Sequence, residues 1–177
     1  IHLAKQTADI DQMSGGRLIL GVGLGNNAKD LLQYGLSASH RVGLFTENVE
    51  IIRALWSRDW VEYQGKYNQL SGTNIAPKPL QGHIPIWFGA NVEKAVRRAV
   101  RYADGWTGAG SASLEAFPRN VSLVQELLAA DGRTQKDFPI SKRIYLAIDD
   151  NEERALERLK HWSKAWYGTP DILERSA

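Results

Sequence analysis

The chain has 177 residues, and its 22 basic and 20 acidic side chains leave a formal net charge of +2. Apolar residues make up 43% and charged residues 24%, a composition typical of a globular domain and too hydrophobic for intrinsic disorder. The lack of cysteine excludes a disulfide framework, a cysteine zinc site and a thiol nucleophile, and so small a net charge argues against nucleic-acid binding. No apolar run is long enough to span a bilayer and no signal peptide is evident, so we expect a cytoplasmic protein without a membrane partner.

Helices and strands alternate in the predicted secondary structure, with apolar periodicity in the helices and short apolar runs in the strands. The first predicted helix has Leu3, Thr7, Ile10 and Met13 on one face and stops at Gly15 and Gly16. It is followed by a strand at 18–22, a helix from Arg41 to Ser57, a hairpin at 60–67 that turns at Gln64 and Gly65, and a loop over 68–85. The second half is predicted as a strand at 84–89, a helix capped by Asn91 and running to Ala103, a strand at 105–107, a helix from Leu114 to Ala130, a strand at 144–148, a helix from Asn151 to Trp166 and a further helix opening at Gly168.

This alternation predicts a parallel α/β sheet with crossover helices, in one domain over residues 1–177. Ligands of parallel α/β folds bind at the carboxyl ends of the strands. Three of the predicted strands end in glycine-rich turns, at 21–27, 89–91 and 108–113, where glycine admits a ligand to the backbone and helix N–H groups favour an anion. Tight turns also need glycine for steric reasons, so each turn alone keeps a purely structural interpretation.

The segment from Gly23 to Ala28 formally matches the G-x-G-x-x-A dinucleotide fingerprint. A classical NAD site also needs a second strand about 20 residues further on that ends in an acidic residue. The predicted helix from Arg41 to Ser57 occupies that region, which argues against such a site.

An ordered set of short motifs resembles the luciferase-like monooxygenase superfamily. The motifs are Leu3–Gln6, Asp11–Arg17, Leu20–Gly25, Arg41 and Glu47, Leu55 and Trp56, Gly65–Tyr67, Pro77–Gln81, Ile84–Gly89, Ala103–Trp106 and, more loosely, Gly168–Asp171. The resemblance implies a (β/α)8 TIM barrel, usually dimeric, that binds FMN or the related deazaflavin coenzyme. The four strands predicted here would be barrel strands four to seven, so the barrel would be incomplete, without strands one to three before Ile1 and strand eight after Ala177.

The resemblance also implies which residues hold the coenzyme. Gly89, Ala90 and Asn91 would meet its phosphate, and Gly110 and Ser111 would supply further donors. Gly25, Asn26 and Asn27 would lie near the ring or ribityl chain, with Trp106 packing nearby. The catalytic residues stay unknown, because the family places much of the catalytic pocket on the first strands, and no metal site is expected.

Two functions therefore stand open. The first is a flavin- or deazaflavin-dependent oxidoreductase that carries out monooxygenation or hydride transfer on a small organic substrate, as a homodimer. The second is a non-catalytic or incomplete barrel that binds a phosphate-bearing ligand or needs a partner chain.

Individual polar residues carry less information. His40 follows the long loop after the first strand and could overhang the site, although packing at a helix start is the simpler interpretation. Arg41 and Glu47 are too far apart on their helix to pair, so one of them reaches the site or pairs elsewhere. Asp104 is expected to bond to local backbone N–H groups.

Overall fold

The computed structural model describes residues 1–25, 28–110, 113 and 115–168, without the side chains of 28–30. The chain divides into two compact units, Ile1–Ile86 and a second that starts at Trp87. The first unit contains α1 (His2–Ser14), β1 (Leu20–Val22), α2 (Ala28–Gln33), one turn of 3-10 helix (Ala38–His40), α3 (Arg41–Ser57), β2 (Val61–Gln64) and β3 (Gln69–Thr73). The second contains α4 (Glu93–Tyr102), β5 (Gly105–Gly108), α5 (Ala116–Ala130), a 3-10 turn (Gln135–Asp137), β6 (Ile140–Lys142) and α6 (Glu152–Tyr167), while β4 (Ile86–Gly89) begins at the boundary.

Helix α1 is buried through small residues rather than through the predicted apolar face. Its buried residues are Ala4, Thr7, Ala8 and Asp11, whereas Ile10 is 48% and Met13 87% exposed. The indole N–H of Trp56, which is buried on α3, donates to the Ala4 carbonyl at 3.0 Å. Small side chains let the two helices approach closely enough for this bond. Of the predicted face, only Thr7 is therefore buried, and the prediction is wrong for Leu3, Ile10 and Met13. The predicted end of α1 is confirmed, since Gly15 follows it in the left-handed conformation.

Helix α3 is confirmed from Arg41 to Ser57. The hairpin after it is also confirmed, but its predicted turn at Gln64 and Gly65 is wrong. Strands β2 and β3 pair antiparallel with Gln64 opposite Gln69, so the loop is the four residues 65–68 and part of the predicted loop over 68–85 is strand. The signal that sequence reasoning missed is Glu47, whose carboxylate accepts hydrogen bonds from the backbone N–H groups of that loop.

The second unit is built on a parallel sheet, which confirms the predicted α/β class. Strands β4 and β5 pair in parallel with Phe88 opposite Trp106, and β5 and β6 pair with Trp106 opposite Ile140. Helices α4 and α5 connect these strands as crossovers. Both aromatic side chains are buried, and Trp106 stacks on Phe117 of α5 with ring centroids 5.3 Å apart. The core of this unit therefore lies between the sheet and its crossover helices.

The predicted strand at 144–148 is wrong, because β6 lies at Ile140–Lys142 instead. The ladder to β5 begins with the Trp106 N–H donating to the Pro139 carbonyl and ends with the Arg143 N–H donating to the Gly108 carbonyl, each at 3.0 Å. Strand β5 ends at Gly108, so the apolar residues that follow have no β5 backbone beside them. The position of β6 is therefore set by the length of β5 rather than by the hydrophobicity of residues 144–148.

Candidate functional site

The carboxyl ends of β4, β5 and β6 form a rim within the second unit. Because the three strands are parallel and adjacent, the turns that leave them reach the same edge of the sheet. Gly89 ends β4 and is followed by Ala90 and Asn91, Ala109 and Gly110 follow β5, and Arg143 follows β6. Among the described residues predicted for the coenzyme, all but Gly25 and Trp106 lie in these turns or end their strand.

Asn91 links two of the turns. Its side-chain oxygen accepts the Ala109 N–H at 2.8 Å, and its carbonyl accepts the Asn120 side-chain amide of α5 at 2.8 Å. The predicted capping role of Asn91 is wrong, since the residue before α4 is Val92 and no side-chain bond caps that helix. The asparagine lies one residue too early and is committed to the neighbouring turn instead.

The two helices that leave the rim differ at their first turns. Helix α5 is capped by Ser113, whose hydroxyl and carbonyl oxygens both accept the Ala116 N–H. Helix α4 has no side-chain acceptor at its start, where the positive end of its dipole lies, although the Ala95 N–H donates to the Val92 carbonyl. Glu93, in this first turn, forms an ion pair with Arg97 at 2.8 Å, which offsets its negative charge. The start of α4, which no side chain caps, therefore favours an anion.

Trp106 supports the rim from below. Its side chain is fully buried, and its indole N–H donates to the Ala90 carbonyl at 2.9 Å. The Ala90 N–H in turn donates to the Thr107 carbonyl at 3.2 Å. Both bonds hold the backbone after β4 against β5, so the indole positions the turn and leaves no ring face exposed to a ligand.

Three residues beside the rim, Arg143, Tyr145 and Tyr167, were not among the predicted site residues. The guanidinium of Arg143 donates through Nη2 to the hydroxyls of Tyr145 at 2.9 Å and Tyr167 at 3.3 Å. The ring of Tyr145 lies against Gly110, where a Cβ would come within 2.6 Å of Cζ of that ring. Sequence reasoning missed this cluster because the strand was predicted at 144–148. That prediction placed Tyr145 inside a strand rather than after its end. An arginine directly after the true strand was the signal.

The remaining predicted residues are placed as follows. Gly25 is exposed, with φ +71°, three residues after β1 in the first unit. Asn26, Asn27 and Ser111 lie outside the described residues, as does the predicted helix after Gly168. The helix α3 occupies the region where a dinucleotide fold needs its second strand, as the sequence predicted.

His40 and Glu47 both serve the hairpin of the first unit. The His40 ring packs against Tyr67 with centroids 5.1 Å apart. Glu47 accepts the backbone N–H groups of Lys66, Tyr67 and Asn68 at 2.7–3.1 Å. Desolvation acts to raise the pKa of Glu47, but these hydrogen bonds outweigh it and hold the pKa below its ordinary value. Of Arg41 and Glu47, which both lie on α3, Glu47 thus pairs with the hairpin loop.

Within the described part of the chain, no group of histidine and acidic side chains is placed to hold a metal ion. No helix there has the length and apolar composition needed to cross a membrane.

Comparisons with known proteins agree with this architecture. A model of the luciferase-like monooxygenase family matches residues 1–175. An uncharacterized protein of Mycobacterium tuberculosis is 36% identical over 140 residues, 75% of this chain and 47% of that protein. The F420-dependent glucose-6-phosphate dehydrogenase of Amycolatopsis mediterranei is 28% identical over 165 residues, 91% of this chain and 49% of that enzyme. The structure of coenzyme F420 dependent tetrahydromethanopterin reductase from Methanopyrus kandleri matches with a TM-score of 0.76 at 25% identity, over 98% of this chain and 54% of that chain. The chain thus spans about half the length of the curated relatives it matches.

Proposed function

We propose, because the chain belongs to the luciferase-like monooxygenase family, that it contributes the phosphate side of a coenzyme site in a flavin- or deazaflavin-dependent oxidoreductase. The complete protein would be a (β/α)8 barrel, active as a homodimer, that carries out hydride transfer or monooxygenation on a small organic substrate. Relatives named for dependence on coenzyme F420 support a deazaflavin, and FMN fits the same rim because both carry phosphate on a ribityl chain.

The tie between Asn91 and Ala109 carries this proposal. The 2.8 Å bond brings the turn after β4 and the turn after β5 together. A phosphate held at one turn would therefore lie close to the other. Gly89 is exposed, so the backbone at the end of β4 is accessible to a ligand, whereas Gly110 is buried against the Tyr145 ring.

The donors at the rim fit a phosphate. The first N–H groups of α4 have no side-chain cap, and an anion at a helix start is stabilised by the dipole. Gly89 and Asn91 would line the phosphate, while Ala90 and Gly110, which are both buried, would shape the two turns, with Trp106 fixing the Ala90 turn. The bound coenzyme would supply the redox chemistry at its ring, and the protein would orient it and control access.

Titration of the full protein with FMN and with the deazaflavin tests the proposal. We expect one of them to bind, and the variant Asn91→Ala to bind it roughly 10-fold more weakly, as expected for losing one hydrogen bond and the order it gives the turn. Asn151→Ala is the matched control, because Asn151 caps α6 by accepting the Arg154 N–H and should not affect binding.

A protein that binds neither coenzyme would remove the proposal. Binding without reduction or turnover of the coenzyme would instead favour the non-catalytic phosphate binder. Thermal unfolding of each variant at saturating coenzyme separates weak binding from loss of fold.

A further inference from the structure

Arg143 lies at the rim, directly after β6. Its backbone N–H donates at 3.0 Å to the carbonyl of Gly108, the last residue of β5. The side chain therefore leaves the backbone beside the turn that carries Ala109 and Gly110. No predicted or proposed coenzyme contact involves this arginine.

Two tyrosines hold the guanidinium in place. Its Nη2 atom donates to both phenol oxygens, which bond to each other at 2.6 Å, and the guanidinium carbon lies 5.4 Å from the ring centroid of Tyr145. Tyr167 comes from α6, and the Tyr145 ring is wedged against Gly110. The arginine is thus oriented by packed rings from two elements, while its Nε and Nη1 donors make no hydrogen bond within the described residues.

The positive charge of Arg143 is uncompensated within the described part of the chain. The arginines at 97, 119, 154 and 158 each lie within 4 Å of a carboxylate oxygen, whereas the partners of Arg143 are phenols. Burial and the hydrogen bond with Tyr167 raise the pKa of Tyr145, so that phenol stays neutral at physiological pH. An oriented guanidinium with open donors and no acidic partner is suited to bind an oxyanion.

We propose that Arg143 binds a phosphate oxyanion of the ligand at this rim, with Tyr145 and Tyr167 as positioning residues. The inference rests on the proposed function, since that function supplies the phosphate. The phosphate comes from the side chain of the coenzyme or from a phosphorylated substrate, and both sources present the same oxygens to the arginine.

FMN and riboflavin form the test pair, because they differ by the phosphate alone; the deazaflavin and its phosphate-free form serve in the same way. In calorimetric titrations of the full protein, Arg143→Met should weaken FMN binding roughly 10- to 100-fold, the range for losing a hydrogen bond between charged groups. Riboflavin binding should not change. Arg143→Lys should fall between, because lysine keeps the charge but loses the planar fork.

Two further variants separate positioning from structure. Tyr145→Phe should reduce the preference for FMN over riboflavin by less than Arg143→Met does, without changing riboflavin binding. Arg101→Met is the matched control, since it removes the same charge from the exposed last turn of α4. A second readout needs no coenzyme: inorganic phosphate should raise the Tm of the wild-type protein and fail to raise that of Arg143→Met.

The outcomes distinguish the sources. Weaker FMN binding in Arg143→Met assigns the phosphate to the coenzyme, whereas unchanged FMN binding with a lost Tm response to phosphate assigns it to the substrate. If the variant keeps both the FMN preference and the Tm response, the inference is overturned. If the wild type binds no coenzyme but keeps an arginine-dependent response to phosphate, the proposed function fails and the arginine site stands.

Discussion

Asp11 is a carboxylate without exposed surface on a helix of otherwise small buried residues. Its two oxygens accept the side-chain amide of Gln81 at 2.7 Å and the backbone N–H of Gln81 at 3.1 Å. Burial acts to raise the pKa of Asp11, but these hydrogen bonds outweigh it and hold the pKa below 3.8. The bond partners lie 70 residues apart in sequence, so this contact secures α1 to the segment before β4.

Replacing Asp11 with asparagine should lower the free energy of unfolding by about 1–3 kcal/mol, since an amide N–H₂ would then face donors in a buried site. The carboxylate stabilises the fold above its unfolded pKa near 3.8, and this contribution declines as the pH falls toward the lower folded pKa. The loss in Asp11→Asn should therefore be largest near neutral pH and shrink in acid, as measured by urea unfolding across that range. Asp9→Asn is the control on the same helix, where a half-exposed pair with Lys5 contributes little; an equal loss in both variants would contradict the prediction.

Asn91 illustrates how far sequence could define the site. The glycine–asparagine turn after a strand was recognisable from local pattern alone. The hydrogen bond from the Ala109 N–H to Asn91 was not, because the donor lies 18 residues further along and only the pairing of β4 with β5 brings it near. Residue types and their place on the chain were thus predictable, whereas the partner of each side chain depended on tertiary contacts.

Strand β5 depends on a glycine at its first residue. A Cβ at Gly105 would lie 2.8 Å from the Nε1 atom of Trp87 and 3.0 Å from the Pro139 carbonyl oxygen. That carbonyl accepts the Trp106 N–H, so it cannot withdraw without breaking the first bond between β5 and β6. The close approach, rather than an unusual backbone angle, requires glycine here.

Gly105→Ala should therefore lower the free energy of unfolding by about 1–3 kcal/mol through overpacking. Gly21→Ala, in strand β1, is the matched control, because no atom beyond its two chain neighbours lies within 4 Å of its Cβ position and the substitution should be neutral or slightly stabilising. Chemical denaturation with near-ultraviolet circular dichroism of the tryptophans measures both. Equal stability of the two variants would show that the sheet yields at this point.

The elements themselves were predictable to different degrees. Helices such as α3 matched their prediction at both ends, because apolar periodicity over many residues is a local signal. Strand β6 did not, because the most apolar run, 144–148, extends past the end of β5. The position at which a strand pairs depends on where the neighbouring strand ends, and the strand's own sequence does not carry that information.

At the scale of the whole molecule, the main exposed apolar feature described in the second unit is the segment 144–148. The side chains of Ile144, Leu146 and Ile148 are 70%, 73% and 80% exposed, and they alternate with the half-buried Tyr145 and Ala147. The segment borders an open groove of about 610 Å³ that Trp162 and Leu159 of α6 also line. Several exposed aliphatic side chains close together form an apolar surface that favours association with another chain.

The 177-residue chain expressed by itself should therefore self-associate in a concentration-dependent manner, as measured by light scattering and sedimentation. Leu146→Lys places a charge at the centre of the exposed row and should shift the chain toward monomer, because burying an unpaired ammonium opposes association. Met13→Lys is the control, since Met13 on α1 is 87% exposed but lies outside this row, and it should leave the association unchanged. A monodisperse wild-type chain, or equal dissociation by both substitutions, would contradict the assignment of the contact to residues 144–148.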